Sequence, residues 1–314
     1  MFLGVDGGQS GTTALIGDDA GRILGAGRGG PCNHVGGPEG RRKFLRAIGD
    51  SIGQACRQAG VDPETVRFRA ACLGFSGGPE DKRPLLQELL RADRLIVTTD
   101  AVIALAGATA GKPGIITIAG TGSIAFGRNS AGRTARAGGW GYVFGDEGGG
   151  FDLTRQALRA VLRHEEGWGP PTVLRNLLLS AAGAVSANEL LHRFYTTEFP
   201  RPRIADFARL VDQAAESGDR SAQEILLTAA AQLACLASAV RRQLFEPGEE
   251  AQVAFIGGVF RSRRLREEFV RLVEQEPGNR CRPPVYGPAA GALLEAYREA
   301  GLHRELKGLP EAEK

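Results

Sequence analysis

The chain has 314 residues, of which 42% are hydrophobic and 24% charged, and its formal net charge is +3. This composition is typical of an ordinary globular protein that is large enough for two domains. The basic residues are spread along the chain rather than gathered in one block, which argues against a nucleic-acid partner.

The first half of the chain predicts the order strand, strand, strand, helix, strand, helix, strand, helix. Short apolar runs bounded by glycines predict the strands, and apolar residues at helical spacing predict the helices. The predicted strands are 2–5, 13–17, 23–28, 68–75 and 95–98, and the predicted helices are 38–59, 84–91 and 101–110. A Gly-Lys-Pro break then places a domain boundary near residues 112–114.

The second half repeats this order and adds a helical insertion. Its predicted strands are 115–118, 124–127, 134–137, 252–256 and 282–286, and its predicted helices are one from about 151 and those at 171–179, 187–195, 204–217, 219–244, 263–274 and 289–300. The apolar stretch 226–240 contains Thr228, Gln232 and Ser238 and is predicted to be a helix buried inside a domain, not a membrane span. The last residues are predicted to form a frayed tail.

The cysteine pattern and the first residues indicate a cytoplasmic protein. The five cysteines are widely spaced, odd in number and contain no C-x-x-C pair, which fits reduced thiols rather than disulfides or a zinc site. No basic segment precedes an apolar run at the beginning of the chain, so no signal peptide is predicted.

A glycine-rich pattern occurs once in each half. The first copy is Val5-Asp6-Gly7-Gly8-Gln9-Ser10-Gly11-Thr12-Thr13, and the second is Ile118-Ala119-Gly120-Thr121-Gly122-Ser123. Each copy predicts a strand, a tight turn and a second strand. Glycines with neighbouring hydroxyls leave backbone N–H groups open to a phosphate, so two such hairpins predict an ATP-dependent phosphotransferase built from two similar halves.

Two carboxylates are candidates for the chemistry. Asp6 ends a buried strand beside Gly7 and Gly8, where it would hold Mg²⁺ near the phosphates, although an Asp at this place can also simply cap a turn. Asp100 follows an apolar strand and begins a helix, where it would accept a proton from an attacking hydroxyl. Asp is also a favoured N-cap residue, and the two roles are compatible.

Seven motifs in chain order carry a family resemblance. They are Gly4-Val5-Asp6-Gly7-Gly8, Asn33-His34, Thr99-Asp100-Ala101, Ala119-Gly120-Thr121-Gly122-Ser123, Gly138-Gly139-Trp140-Gly141, Gly145-Asp146-Glu147-Gly148 and Gly257-Gly258-Val259. With them the chain resembles the N-acetylglucosamine kinase branch of the actin, sugar-kinase and heat-shock ATPase superfamily, which is grouped with the BadF/BadG/BcrA/BcrD-type ATPases.

The resemblance implies an α/β fold of two actin-like ATPase (ribonuclease H-like) domains of βββαβαβα type, with an interdomain cleft for the nucleotide. The first domain would span residues 1–113. The second would span 114–314 and contain a helical insertion at about 152–245 and the closing helix 289–300.

The resemblance also implies a role for each motif. Asp100 would be the catalytic base and Asp6 the Mg²⁺ residue. ATP would contact Asp6, Gly7, Gly8, Ser10, Gly120, Thr121, Gly122, Gly257 and Gly258. The sugar would contact Asn33, Asp100, Ser123, Gly139, Trp140, Gly141 and Asp146. A lone Trp is more often a core residue, but the glycines that flank Trp140 favour the close approach of a ligand.

The activity that the resemblance implies is ATP- and Mg²⁺-dependent phosphorylation of N-acetylglucosamine or glucosamine at the 6-hydroxyl. The implied partner is a small sugar, with no nucleic acid or membrane, and relatives are commonly homodimers. One alternative is an ATPase activator of a reductase or dehydratase, although such proteins use Cys-ligated clusters and the spacing here is not cluster-like. The other is a sugar-binding regulator without turnover, although no segment for a helix-turn-helix precedes the first strand.

Overall fold

A computed structural model describes residues 1–8, 10–32, 35–76 and 79–313. The strands are β1 (Phe2–Gly7), β2 (Thr12–Gly17), β3 (Ile23–Gly29), β4 (Arg67–Phe68), β5 (Ala70–Phe75), β6 (Arg91–Ala92), β7 (Leu95–Thr99), β8 (Gly114–Ala119), β9 (Ser123–Arg128), β10 (Thr134–Gly138), β11 (Ala251–Ile256) and β12 (Asn279–Cys281). The α-helices are α1 (Gly37–Gln58), α2 (Arg83–Leu89), α3 (Asp100–Ala108), α4 (Gly150–Glu165), α5 (Leu174–Ala182), α6 (Ala187–Arg193), α7 (Arg201–Asp206), α8 (Ala208–Glu216), α9 (Arg220–Leu244), α10 (Arg263–Glu274) and α11 (Pro288–Glu299). Short 3₁₀ helices lie at Gly258–Arg261 and Glu311–Glu313.

The chain divides into two compact units, one formed by residues 1–113 and 283–313 and the other by residues 114–282. In the first unit a five-stranded sheet has the order β3-β2-β1-β5-β7. The pairs β1–β2 and β2–β3 are antiparallel, whereas β1–β5 and β5–β7 are parallel. Apolar residues of α1, among them Phe44 and Ile48, pack on one face of this sheet. Those of α11, with Ile103 of α3, pack on the other face.

The second unit repeats this sheet with the order β10-β9-β8-β11-β12. Here β8–β9 and β9–β10 are antiparallel, and β8–β11 and β11–β12 are parallel. The long helix α9 packs against β8, β9 and β10, and α4 to α8 pack together beside it. The two-domain α/β fold predicted from the sequence is therefore confirmed by the duplicated sheet.

Helix α9 is, by length and composition alone, long and apolar enough to cross a bilayer. Its residues Leu226, Leu233 and Val240 are nonetheless completely buried in the core of the second unit. A core helix of this kind satisfies the same length and hydropathy criteria as a membrane span.

Two elements of the second unit differ from the predictions. The predicted helix 204–217 is two helices, α7 and α8, which meet at Phe207, whose ring stacks against Phe194 in the core. The predicted strand 282–286 is wrong, because the last strand is β12, which ends at Cys281. Pro283 and Pro284 follow and have no N–H to donate to a neighbouring strand, so pairing cannot continue.

The end of the chain also differs from the prediction. Helix α11, predicted as part of the second domain, packs on β1 and α3 of the first unit. The expected frayed tail is wrong as well, because Leu306 and Leu309 are buried in the same core. Two backbone hydrogen bonds of Lys307, with Ile23 and Gly21, fix the segment beside β3.

Candidate functional site

The β1–β2 hairpin brings Asp6 to the end of a buried parallel strand. Within the turn the Gly8 N–H donates to the Gly11 carbonyl at 2.9 Å, and the Thr12 hydroxyl donates to the Gly30 carbonyl at 2.8 Å. These two donors are therefore used inside the protein, contrary to the expectation that the Gly8 N–H is open. Ser10, in contrast, is exposed at the tip of the hairpin.

The packing around Gly7 leaves no room for a side chain at this position. A Cβ atom at this position would lie 2.4 Å from the Phe75 ring and 2.8 Å from the Cys32 sulfur. The predicted phosphate contacts of Gly7 and Gly8 stay predictions. The structure shows in addition that Gly7 leaves room for the Phe75 ring and the Cys32 sulfur beside β1.

The parallel register brings Asp100 to the same edge of the sheet as Asp6. Asp6 pairs with Gly74 of β5, and Gly74 pairs with Thr98 of β7, two residues before Asp100. Asp100 is the first residue of α3, and its carboxylate accepts a hydrogen bond from the Ala101 N–H at 2.8 Å. It thus lies at the carboxyl ends of parallel strands, where ligands of open α/β sheets bind.

The electrostatics of this edge disfavour negative charge. Burial, together with the negative charges of Glu313 and Asp100, raises the pKa of Asp6 to about 7. The Asp100 side chain is accessible to solvent, yet surrounding protein atoms desolvate its carboxyl and raise its pKa as well. Perturbed carboxylates at a sheet edge are typical of functional sites.

Glu313 is a neighbour of this site that the sequence did not indicate. Its buried carboxylate accepts a hydrogen bond from the Ala290 N–H at 3.0 Å, at the beginning of α11, and burial raises its pKa. The Gly287 N–H donates to the Glu313 carbonyl at 3.0 Å. In the sequence, Glu313 lies among other charged residues of the tail and looks like a solvated surface residue. No motif near it indicates that it belongs to the site.

The second hairpin, β8–β9, is joined to the beginning of α4. The Gly120 N–H donates to the Gly122 carbonyl at 3.0 Å, and the carbonyls of Gly120 and Thr121 accept from the N–H groups of Gly150 and Phe151 at 2.8 and 3.1 Å. Ser123 is 4% exposed, and its hydroxyl donates to the Glu147 carbonyl at 2.6 Å. The hydroxyl of Ser123, predicted to contact the sugar, is thus engaged with the neighbouring loop.

Asp146 lies against this hairpin in the left-handed backbone region, with φ of 62°. Its carboxylate accepts a hydrogen bond from the Ser123 N–H at 3.3 Å and forms an ion pair with Arg201 at 2.6 Å. Only the absence of a side chain at Gly122 makes room for it, because a Cβ there would lie 2.4 Å from an Asp146 oxygen. Arg201 is distant in sequence and was not predicted.

Gly257 and Gly258 lie at the end of β11, beside the same hairpin. Gly257 has φ of 114°, and a Cβ there would lie 2.2 Å from the Ala119 carbonyl oxygen, so only glycine brings the ends of β8 and β11 this close. At Gly258 a Cβ would meet open space. A ligand can therefore approach the backbone at Gly258.

The loop after β10 exposes aromatic side chains. Trp140 is 65% exposed, so it is not a core residue, and the Arg136 guanidinium lies 4.4 Å from its ring centroid. The flanking Gly139 and Gly141 have φ of 73° and 81°. Tyr142, Val143 and Phe144 are exposed beside it. An aromatic ring held in this way in a glycine-rich loop is available to stack on a ligand.

The structure thus brings Asp6 and Asp100 together in the first unit, and Gly120–Ser123, Asp146 and Gly257 together in the second. The predicted sugar contact Asn33 and its neighbour His34 lie outside the described residues.

The family model for the BadF/BadG/BcrA/BcrD ATPases matches residues 3–296. The chain belongs to this family. It is 35% identical to an N-acetylmuramic acid/N-acetylglucosamine kinase of Clostridium acetobutylicum, over 65% of this chain and 69% of that protein. It is 27% identical to an N-acetyl-D-glucosamine kinase of Dictyostelium discoideum, over 94% of this chain and 97% of that protein.

Solved structures share this fold. A Chromobacterium violaceum protein, described as a candidate N-acetylglucosamine kinase, is 30% identical and has a TM-score of 0.73, with 93% of this chain and 97% of that chain covered. A ROK hexokinase of Thermus thermophilus, at 19% identity and a TM-score of 0.57 over 96% of this chain and 99% of that chain, shares the fold.

Proposed function

We propose that this protein is an ATP-dependent sugar kinase that phosphorylates N-acetylglucosamine, or the closely related glucosamine, at the 6-hydroxyl. The observation that carries the proposal is the placement of Asp6 and Asp100 at one edge of the first sheet, which also contains the glycine-rich β1–β2 hairpin. Membership of the family and the names of the relatives support the same reaction class.

Asp100 is the proposed catalytic base. As the sugar oxygen attacks the γ-phosphorus, a new O–P bond forms, the bond to the bridging oxygen breaks and ADP leaves. Asp100 takes the hydroxyl proton, and its raised pKa makes it a stronger base than an ordinary carboxylate. The Ala101 N–H holds one carboxylate oxygen, which fixes the orientation of the other.

Asp6 is the residue that would hold Mg²⁺. Its carboxylate oxygens are ligands that this cation prefers. A cation would also offset the burial and the neighbouring negative charges that together raise the pKa of Asp6. Among the described residues no three acidic, His or Cys side chains converge as a metal cage, so phosphates and water would complete the coordination. When bound, Mg²⁺ neutralises charge that develops on the phosphoryl group.

The remaining assignments follow the sequence motifs. ATP phosphates would contact Gly7, Gly8, Ser10 and Gly120–Gly122, and Gly257 and Gly258 would leave room for the nucleoside. Asn33, Ser123, Asp146 and the loop 139–141 would bind the sugar. We also propose that the protein is cytoplasmic, homodimeric and without a nucleic-acid or membrane partner.

The test is ADP release from Mg²⁺-ATP in the presence of N-acetylglucosamine, glucosamine, N-acetylmannosamine, glucose or no sugar. We expect release that depends on an amino sugar. Asp100→Asn should lower kcat by about 10²–10⁴-fold, because general base catalysis contributes about that much. The matched control is Asp50→Asn, since within the described residues the ion pair of Asp50 is a long surface contact of 3.9 Å with Arg46.

An unchanged rate in Asp100→Asn would overturn the assignment of the base. Sugar-independent release would favour the ATPase-activator alternative, and binding without release would favour a regulator.

A further inference from the structure

A cavity of about 680 Å³ opens in the second unit between α4 and the segment that contains α6 and α7. Aromatic and aliphatic side chains form most of its wall, and we call this space the aromatic cavity. Its size lies within the range of about 300–1,000 Å³ that is usual for small-molecule sites. Among the described residues, none of those proposed above for ATP or the sugar belongs to this wall.

The aromatic cavity is apolar from its floor to its mouth. Leu158, Phe199 and Ile204 are buried and form the floor. Val143 and Tyr195 are 63% and 84% exposed and lie at the mouth. Exposed apolar side chains around an open apolar space are typical of a surface that binds a ligand or a partner.

Contacts between aromatic rings hold the wall of the cavity in place. The ring centroids of Tyr142 and Phe151 lie 5.0 Å apart, and those of Phe194 and Phe199 lie 5.8 Å apart. All four rings line the cavity, and tilted ring pairs of this kind stabilise each other beyond the burial of their area. A ligand would therefore meet a largely preformed apolar surface.

The charged residues of the cavity wall are all arginines. Arg155 pairs with Asp152 and Arg201 pairs with Asp146, each at 2.6 Å, so acidic neighbours offset both charges. Arg159 also lines the cavity, is exposed and forms no ion pair within the described part of the chain. Its positive charge is therefore available to a ligand at the solvent side of the apolar wall.

We propose that the aromatic cavity binds a small amphipathic anion, with an aliphatic or aromatic body against the apolar floor and a single carboxylate at Arg159. Burial of the apolar body supplies most of the affinity, and a guanidinium group matches the geometry of a carboxylate. The carboxylate stays at the exposed end because moving it into the apolar floor would be costly. The inference goes beyond the proposed function and does not depend on it, because neither ATP nor the sugar takes part.

The experiment is calorimetry on the full chain, without ATP or sugar, with octanoate and 1-octanol as probes. The two probes share the alkyl chain and differ in the charge of the head group, and we expect each to bind at one site. Arg159→Gln should lower the ratio of the octanol Kd to the octanoate Kd about three- to fivefold, because an exposed ion pair contributes up to about that much. Arg159→Glu should lower this ratio further. Roughly 0.5 M KCl should weaken the binding of octanoate but not that of octanol, because salt screens exposed charges.

The matched control is Arg163→Gln. Arg163 lies one turn further along α4, where its guanidinium lies 4.9 Å from the Trp168 ring centroid, and it is not part of the aromatic cavity. This substitution should leave the ratio within about twofold. Leu191→Trp enlarges a half-buried side chain of the cavity wall and should weaken the binding of both probes, while its melting temperature shows that the variant is folded.

Several outcomes would overturn the inference. They are the absence of saturable binding, a ratio that Arg159→Glu does not change, and binding that persists in a folded Leu191→Trp variant. Sedimentation velocity supplies one more: a dimer that dissociates in octanoate or in Arg159→Glu would show that a second copy of the chain occupies the cavity. Failure of the kinase function would leave the binding result unchanged, because no step of the measurement uses phosphoryl transfer.

Discussion

At the scale of single residues, Asp6 lies in surroundings that oppose its own ionisation. Its folded-state pKa of about 7 is well above 3.8, the ordinary pKa of an Asp carboxyl. A carboxyl whose pKa is raised on folding contributes stability below pH 4, and this contribution is lost as the pH rises through 7. Holding Asp6 ionised for a cation therefore costs folding stability, as is common at functional sites.

Glu313 allows this conflict to be tested. Glu313→Gln keeps an oxygen that can accept the Ala290 N–H. It removes a negative charge that, after burial, is the next largest cause of the raised pKa of Asp6. We expect the acid limb of the kcat/KM profile for Mg²⁺-ATP to move to lower pH, by roughly half a pH unit to one. Thermal melts at pH 8 should also show a more stable protein.

The control for Glu313→Gln is Glu305→Gln, an exposed carboxylate of the same tail. An acid limb that stays in place in Glu313→Gln, or that moves equally in the control, would show that Glu313 does not influence the ionisation that limits activity.

At the scale of elements, the β8–β9 turn and the loop that holds Asp146 depend on each other. In Gly122→Ala the new Cβ would lie 2.4 Å from an Asp146 oxygen, so the carboxylate would have to leave its place beside Ser123 and Arg201. We expect a lower melting temperature, by roughly 3–8 °C, and a higher KM for the sugar.

Gly120→Ala is the matched control for stability, because a Cβ at Gly120 meets nothing within 4 Å. Its melting temperature should stay within about 1–2 °C of the wild type. Equal melting temperatures for wild type and Gly122→Ala would mean that the loop adapts and that Asp146 is not fixed by this contact.

The elements also show where sequence reasoning works. Asp6 and Asp100 could be placed together because Asp6 lies at the end of one buried strand and Asp100 follows another, and parallel strands end at the same sheet edge. Arg201 and Glu313 could not be found, because each reaches its partner only through tertiary packing. Arg201, for example, is 55 residues away from Asp146 in the sequence. Apolar spacing predicted α11 itself, but it does not state which sheet the helix covers.

At the scale of the whole molecule, the two sheets are duplicates of each other, but the two units are not simply the first and second halves of the chain. Both sheets have the same strand order, yet the first unit is completed by residues 283–313 from the other end of the chain. The inner face of its sheet, with Phe2 and Leu15, is buried by Leu293 and Tyr297 of α11. The first 113 residues therefore leave a large apolar surface uncovered when they are separated from α11.

This arrangement predicts how fragments fold. Residues 1–113 alone should bind a dye for exposed apolar surface and melt without a cooperative transition, because burial of apolar area by α11 is missing. The same residues joined through a flexible glycine-serine linker to 283–314 should melt cooperatively, and so should 114–282 alone, whose core is formed within that segment. Circular dichroism during heating measures all three.

A linked fragment with Leu293→Asp and Tyr297→Asp serves as the control and should behave like 1–113. If residues 1–113 alone melted as sharply and at the same temperature as the linked fragment, α11 would not be part of the folding unit, and the boundary at residue 113 would be sufficient to define the first domain.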